Sequence, residues 1–419
     1  MSLDLLSVLA DRENYERFSR FVKPETLSTE VKTIVTDLGM YYKDNPSINE
    51  IDWGLFKDWF CIVQHSTYKS DKISMYVAII DKMEEHVATD LAEAIITKYV
   101  GQDYAQQIAD IALRAAEGAP LDLASIEEII GDYNGECDRV NKLDEFIVDD
   151  DITALYEEAV TSGFKWRMSF LNKATGNARP GKLIVMAMRP NTGKTTLLAS
   201  EATYMASQMA EDECVLWFNN EEAGTDVKRR IIQAALQLPF EKLSADPVKT
   251  GAAYQKAING PLGKIKVIDK ADINVQDVEE FARKYNAKLI IFDQLWKVKG
   301  FEKTSSTETS RLGNIFQWAR ELAKKNHCPV ITSHQVKTEG EGVEYLTPSM
   351  LYLSGTVIQG EADTLVLVGR NYDPGQEFTR FFYIGKNKGA YGPEVDLSLA
   401  EGRCVAKLVP ELAKWEEPK

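Results

Sequence analysis

The sequence predicts an α/β domain built around a parallel sheet and carrying a phosphate-binding loop, preceded by an all-α domain and a linker helix. Three observations predict it. Beyond residue 160 the chain holds seven short apolar runs, the first five alternating with helix-like stretches, the pattern of parallel strands covered by helices on both faces. Before residue 134 the apolar residues instead recur at helical spacing. Charge steps near the same boundary: residues 1–150 hold 14 basic and 30 acidic side chains, whereas 151–419 hold 35 and 34.

The broad class follows from composition. A chain of 419 residues that is 44% hydrophobic and 27% charged has the balance of a folded protein and the length of more than one core. No run approaches the roughly 18 apolar residues of a membrane span, so no membrane role is expected. The start, MSLDLLSVLADRENYE, has acids where a signal peptide is basic and then apolar. The five cysteines lie far apart, which excludes a zinc ribbon and points to a reducing cytoplasm. The net charge of -15 resides in the N-terminal third, so it does not exclude a polyanionic partner for the remainder.

Taken in order, Tyr104–Glu117 places Ile108, Ile111, Ala112 and Ala115 on one helical stripe. Pro120 opens a second helix with Leu123, Ile126, Ile129, Ile130 and Tyr133 on its stripe. The polar, acidic stretch 134–152 shows no sustained period and reads as a linker. The domains expected are therefore 1–118, helical; 119–159, linker helix and acidic linker; and 160–419, the α/β domain. Its runs are KLIVMAM (182–188), CVLWFN (214–219), IKVID (265–269), KLIIFD (288–293), PVITS (329–333), TLVLVG (364–369) and RFFYIG (380–385). In such sheets ligands bind beyond the carboxyl ends of the strands.

The first run leads into Arg189, Pro190, Asn191, Thr192, Gly193, Lys194, Thr195 and Thr196, then a helix. Backbone N–H groups of such a loop and the helix N-terminus surround a polyphosphate, Lys194 bridges the β and γ phosphates, and Thr195 offers its hydroxyl to magnesium. The first glycine of the usual pattern is replaced by Met188. Hydrolysis also needs a magnesium carboxylate and a group that acts on water. Asp293, delivered at the tip of a buried strand, fits the first role. Glu221, just after CVLWFNN, fits the second, with Glu222 as its competitor. Gln335 ends another strand, where it would sense the γ-phosphate, and its neighbour His334 is either a packed histidine or an active group.

These residues carry a resemblance. The stretch SGFKWRMSFLNKATGNARPGKLIVMAMRPNTGKTT resembles the start of the motor domain of DnaB-type replicative helicases, and FNNEE, IIFDQL, SHQVK, LSGTVIQGEADTLVLVGR and FYIGKNKGAYGPEVDLSL stand where that family has its later motifs. The resemblance implies a RecA-like P-loop motor in which Glu221 polarises the attacking water, Asp293 holds magnesium and Gln335 reports the γ-phosphate. It implies that Lys386 and Lys388 reach the neighbouring subunit's nucleotide. The second of that pair is usually arginine, and a lysine lacks the planar fork that clamps phosphate oxygens, so Arg370 or Arg380 is an alternative. The N-terminal third resembles the family's helical collar, with Leu121–Tyr133 at the place of its linker helix.

By the same resemblance, single-stranded DNA threads a ring past the loops 297–311 and 337–348. Lys299, Lys303, Arg311 and Lys337 are the expected phosphate contacts, which do not read bases. The loops hold no stacking array, although Phe301 and Tyr345 are aromatic candidates. The implied function is an ATP-dependent, magnesium-requiring 5′–3′ replicative DNA helicase. Its implied partners are a homo-hexamer, a primase and a loader, in the cytoplasm of a bacterium or a phage host. The rival expectations are a recombinase-like or clock-like ATPase without unwinding, or a nucleotide-switched loading scaffold.

Overall fold

The protein, a computed structural model, is described for all residues except 1, 24–25, 85–90, 143–150, 302–306, 354 and 418–419. It divides into two compact units, Met1–Asp150 and Asp151–Lys419.

The first unit is all helical: α1 (Ser2–Leu9), α2 (Arg12–Phe18), α3 (Thr29–Asp44), α4 (Trp53–Trp59), α5 (Ser70–Glu84), α6 (Ala92–Ala116) and α7 (Leu123–Lys142). Asp11, Ser28 and Asp52 cap α2, α3 and α4 by accepting from backbone N–H groups three residues on. Leu5, Phe18, Leu38, Phe56, Ile80 and Ile96 are fully buried between them. Tyr41 meets both Phe56 and Trp59 edge to face, at 5.3 and 5.2 Å.

One expectation is corrected here. Residues 134–142, read as linker, continue α7, because Cys137 and Val140 prolong the stripe of Ile129 and Tyr133 among charged neighbours. Val140 is fully buried. The helix packs on α6 within the first unit, with the Tyr104 and Tyr133 rings 5.7 Å apart.

The second unit begins with α8 (Ile152–Thr161) and α9 (Ser169–Thr175), followed by β1 (Leu183–Met188), α10 (Lys194–Ser207), β2 (Cys214–Asn219) and α11 (Gly224–Leu236). Then come α12 (Phe240–Ala245), α13 (Pro247–Ala257), β3 (Ile265–Asp269), α14 (Val275–Lys284), β4 (Ala287–Asp293), α15 (Glu308–Lys325) and β5 (Val330–Gln335). The unit closes with α16 (Gly355–Glu361), β6 (Thr364–Gly369), β7 (Thr379–Asn387), β8 (Arg403–Val409) and β9 (Lys414–Glu416). The strands form one sheet in the order β3-β2-β4-β5-β1-β6-β7-β8-β9. It is parallel from β3 to β6 and antiparallel beyond.

Both faces are covered. Along β1, Ile184 and Met186 face one cluster with Leu197 and Ile231 of α10 and α11, while Leu183 and Val185 face another with Ile315 and Phe316 of α15. That two-sided burial is why the strands read as continuous apolar runs. The two last strands escaped the sequence reading, since RCVAKLV mixes charge into a half-exposed strand and the edge strand beyond it has only three residues. Among the described residues no helix is long and apolar enough to cross a membrane.

Candidate active site

The phosphate loop is shaped by two left-handed residues, Asn191 (φ 59°) and Gly193 (φ 111°), that swing the chain from β1 into α10. Gly193 is favoured on a second count, since a Cβ there would press to 3.2 Å against both the Leu408 and Trp415 side chains. The loop is braced from outside by arginines. Arg380, buried, donates Nε to the Thr192 carbonyl at 2.8 Å, and Arg370 donates to the Asn191 carbonyl at 3.1 Å. Both arginines named as alternatives to Lys388 thus brace their own chain's loop. Arg189 turns to the Val336 carbonyl (2.9 Å) and Glu341 (3.2 Å).

The carboxylates converge because β2 and β4 are neighbours in register, Asn219 opposite Asp293. Asp293 is fully buried and accepts from the hydroxyls of Thr195 and Ser333, each at 2.9 Å. Burial pushes its carboxyl above the usual range, against the pull of those two hydroxyls and Lys194. Glu221 lies 3.4 Å from the Lys194 ammonium and accepts from the side-chain amide of Gln294. Glu222, which lines the same cleft, instead pairs with Arg230 at 2.7 Å, so of the two acids Glu221 is the one set against Lys194.

A cleft of about 420 Å³ opens on Lys194, Thr195 and Glu221, while buried Asp293 lies behind Thr195 and outside its lining. Pro190, Asn191, Gly193, Lys194, Thr195 and Thr196 line it together with Glu221, whereas the side chains of Arg189 and Thr192 do not. Its other wall, from Phe378, Leu408 and Pro410, was missed in the sequence, as were Ser333 and Gln294. The last two stand inside motifs already singled out, PVITS and IIFDQL, and adjacency to Asp293 was the one available signal for Gln294.

The donor set suits a hard cation. Thr195 and Asp293 present oxygen only, and among the described residues no group of three or more His, Cys, Asp or Glu side chains could hold a metal. One carboxylate and one hydroxyl, with the remaining positions left to phosphate oxygens and water, is how Mg²⁺ is bound.

Gln335 ends β5 in register with Met188, beside the loop but outside the residues lining the cleft. His334 is a packed histidine: it is fully buried, bonded through Nε2 to the Tyr352 carbonyl at 3.0 Å, and set against Phe316 edge to face.

Lys386 and Lys388 are remote from all of this. β7 runs antiparallel to β6, with Phe382 opposite Val368, Lys386 opposite Leu365 and Asn387 opposite Thr364, so the lysines stand toward the amino end of β6, about 10 Å of strand from the loop end for Lys386 and about 17 Å for Lys388. Lys386 donates to the Gln359 and Gly360 carbonyls at the end of α16. Lys388 is exposed.

The expected nucleic-acid contacts differ in their surroundings. Lys299 is exposed just beyond β4, whereas Arg311 donates to the Trp296 carbonyl at 3.3 Å and Lys337 to the Ser349 carbonyl at 3.2 Å. Lys303 lies outside the described residues. Both aromatic candidates are half-buried with ring neighbours: Phe301 lies 6.1 Å from Trp318, and Tyr345 meets Phe381 edge to face with Arg403 over its ring.

Comparison with known proteins matches residues 160–401 to the family model described as DnaB-like helicase C terminal domain. The replicative DNA helicase DnaB of Mycoplasma genitalium is 26% identical over 233 residues, 52% of this chain and 49% of the relative. That of Haemophilus influenzae is 26% identical over 288 residues, 64% and 59% respectively. The aligned chain thus spans only about half the length of the curated relatives it matches. Among solved structures, a DnaB-like replicative helicase described with its interactions with primase aligns at TM-score 0.57 and 16% identity, covering 100% of this chain and 99% of that one. A second solved structure, described as an ATPase domain, aligns at TM-score 0.52 and 19% identity, covering 65% and 99%. At these identities the structural likeness speaks to fold.

Proposed function

The chain belongs to the family of DnaB-like helicase C-terminal domains, and from that premise we propose that it is an ATP-driven replicative DNA helicase. In this reading it forms a ring, taken to be a hexamer, and moves 5′ to 3′ along one strand to part the duplex at a replication fork. The observation that carries the reading is the meeting of Lys194, Thr195, Asp293 and Glu221 at the carboxyl ends of the parallel strands, while Lys386 and Lys388 stand toward their amino ends. Such a chain holds both halves of a nucleotide site but cannot bring them together alone. A second copy completes it.

The work falls to named groups. N–H groups of residues 191–196 and the Lys194 ammonium hold the phosphates. Thr195 and Asp293 would hold Mg²⁺, which neutralises charge between phosphate oxygens. Glu221 orients the attacking water and accepts its proton; Lys194, now 3.4 Å from Glu221, turns to phosphate as nucleotide enters. Lys388 of the next copy stabilises the transferred charge, and Lys386 joins it on leaving the α16 carbonyls. Gln335 passes the state of the γ-phosphate to the segment after β5, and Lys299, Lys303, Arg311 and Lys337 follow the DNA backbone. The helical first unit is the natural place for a primase or a loader.

The test is displacement of forked DNA bearing either a 5′ or a 3′ single-stranded arm, with ATP and magnesium, for wild type and Lys194→Ala. Displacement that requires the 5′ arm and vanishes in the variant is expected. DNA-stimulated hydrolysis with no displacement on either fork would instead indicate an ATPase of recombinase-like or clock-like behaviour, or a loading scaffold.

A further inference from the structure

Glu221 lies two residues beyond the end of β2, outside any helix or strand, with its side chain one-third exposed. A carboxylate that must act on water from such a segment needs something to aim it, because catalytic geometry is lost with displacements of about 1 Å. Two groups hold Glu221 here. One is the Lys194 ammonium at 3.4 Å, which nucleotide phosphates will claim. The other is the side-chain amide of Gln294, donating Nε2 to Glu221 Oε2.

Gln294 is unusual on its own terms. It is fully buried, yet it adopts a left-handed backbone (φ 78°, ψ 75°) that a side chain with a Cβ seldom takes. Its carbonyl accepts from the Asn220 side chain at 3.1 Å. Residues 220 and 221 therefore both grip Gln294, one by its backbone and one by its amide, and the strained turn sits directly after Asp293. Turning the amide over would set Oε1 against the carboxylate, acceptor against acceptor, so the donor orientation is imposed by Glu221 itself. Gln294 Oε1 is then left buried without a hydrogen-bond partner, an acceptor that a water beside Glu221 would satisfy.

We propose that Gln294 is the positioning residue of the hydrolytic centre: its amide aims the Glu221 carboxylate at the attacking water. The proposal rests on the reading of Glu221 as the group that acts on that water. Gln294 touches neither phosphate nor metal in this role.

The test uses the full chain with ATP, magnesium and single-stranded DNA, comparing Gln294→Met, Gln294→Asn, Glu221→Gln and the pairwise combinations with Glu221→Gln. Methionine keeps the length and volume without a donor. Asparagine suits the left-handed backbone but is one methylene short, so it carries the test should the methionine variant fold poorly. The expected result is a kcat lower on the order of 10-fold to 100-fold for either substitution. The Kd for a non-hydrolysable ATP analogue and the melting temperature should stay near wild type, and neither substitution should reduce the residual rate further on the Glu221→Gln background. A further loss on that background would show that Gln294 acts independently of Glu221, and an unchanged kcat beside an inactive Glu221→Gln would leave it no positioning role; either result overturns the proposal. Full activity in Glu221→Gln would remove the reading beneath it and the proposal with it.

Discussion

Thr195 donates its hydroxyl to Asp293 across 2.9 Å, tying the first turn of α10 to the tip of β4. The bond matters because its two oxygens come from distant parts of the chain and are the proposed magnesium ligands. Asp293→Asn keeps an oxygen acceptor for one of the two hydroxyls, turns an amide N–H toward the other, and loses the charge that a divalent cation needs. Hydrolysis should fall by at least about 100-fold, with analogue binding weakened chiefly when magnesium is present. Since burial already disfavours the Asp293 carboxylate, the melting temperature should be equal to or above that of wild type. A marked drop in thermal stability would mean that the carboxylate holds the fold rather than a cation.

The separation of Lys388 from its own phosphate loop predicts complementation between subunits. Lys388→Ala and Lys194→Ala should each be nearly inactive, for different reasons. In a one-to-one mixture about a quarter of the interfaces would join an intact loop to an intact Lys388, so ATPase should reappear on mixing. No recovery, in mixtures shown to exchange subunits, would place Lys388 outside the site.

Lys299 and Lys337 should differ as DNA contacts. Lys299 is exposed, while the Lys337 ammonium already donates to the Ser349 carbonyl. Lys299→Ala is expected to weaken single-stranded DNA binding for all sequences alike and to lower the salt slope of the affinity by about one. Lys337→Ala should change it less. Fluorescence anisotropy over a range of salt checks both, and the reverse order would mean that the segment after β5 is the primary contact.

The parts legible in the sequence were those whose signal is local. β1, the loop from Arg189 to Thr196 and α10 are contiguous, and Asp293 announces itself as a lone charge at the tip of a buried run. Glu221 could be placed but not separated from Glu222, because only the Arg230 ion pair removes its neighbour. Gln294 depends on a partner 73 residues away, and Arg380 on a carbonyl 188 residues away; no periodicity encodes such pairings. β8, β9 and the second half of α7 failed for a different reason, since half-exposed edges and sparse stripes blur the hydrophobic period that sequence reading relies on.

Two buried ionisable groups in the second unit predict opposed pH responses that mask each other in the wild type. Glu201 on α10 is buried and accepts from the Arg167 backbone N–H at 2.6 Å, and burial pushes its carboxyl up to about 7 from an ordinary 4.5. Between those values the folded chain holds a proton that the unfolded chain has released, so Glu201's contribution to stability falls as pH rises. His334 is the mirror case: burial lowers it from 6.5 to about 4. The unfolded chain takes up that proton first, so stability falls as pH drops through the same range. Each displacement corresponds to about 3 kcal/mol, and the opposed slopes should leave the wild type nearly flat between pH 5 and 6.5. Substituting one group uncovers the other. Glu201→Gln should lose stability on acidification by about 2 kcal/mol over that interval while gaining at pH 8, and His334→Gln should gain on acidification. Chemical denaturation followed by tryptophan emission at several pH values decides it: parallel, flat profiles in both variants would mean that neither group keeps its protonation state through burial.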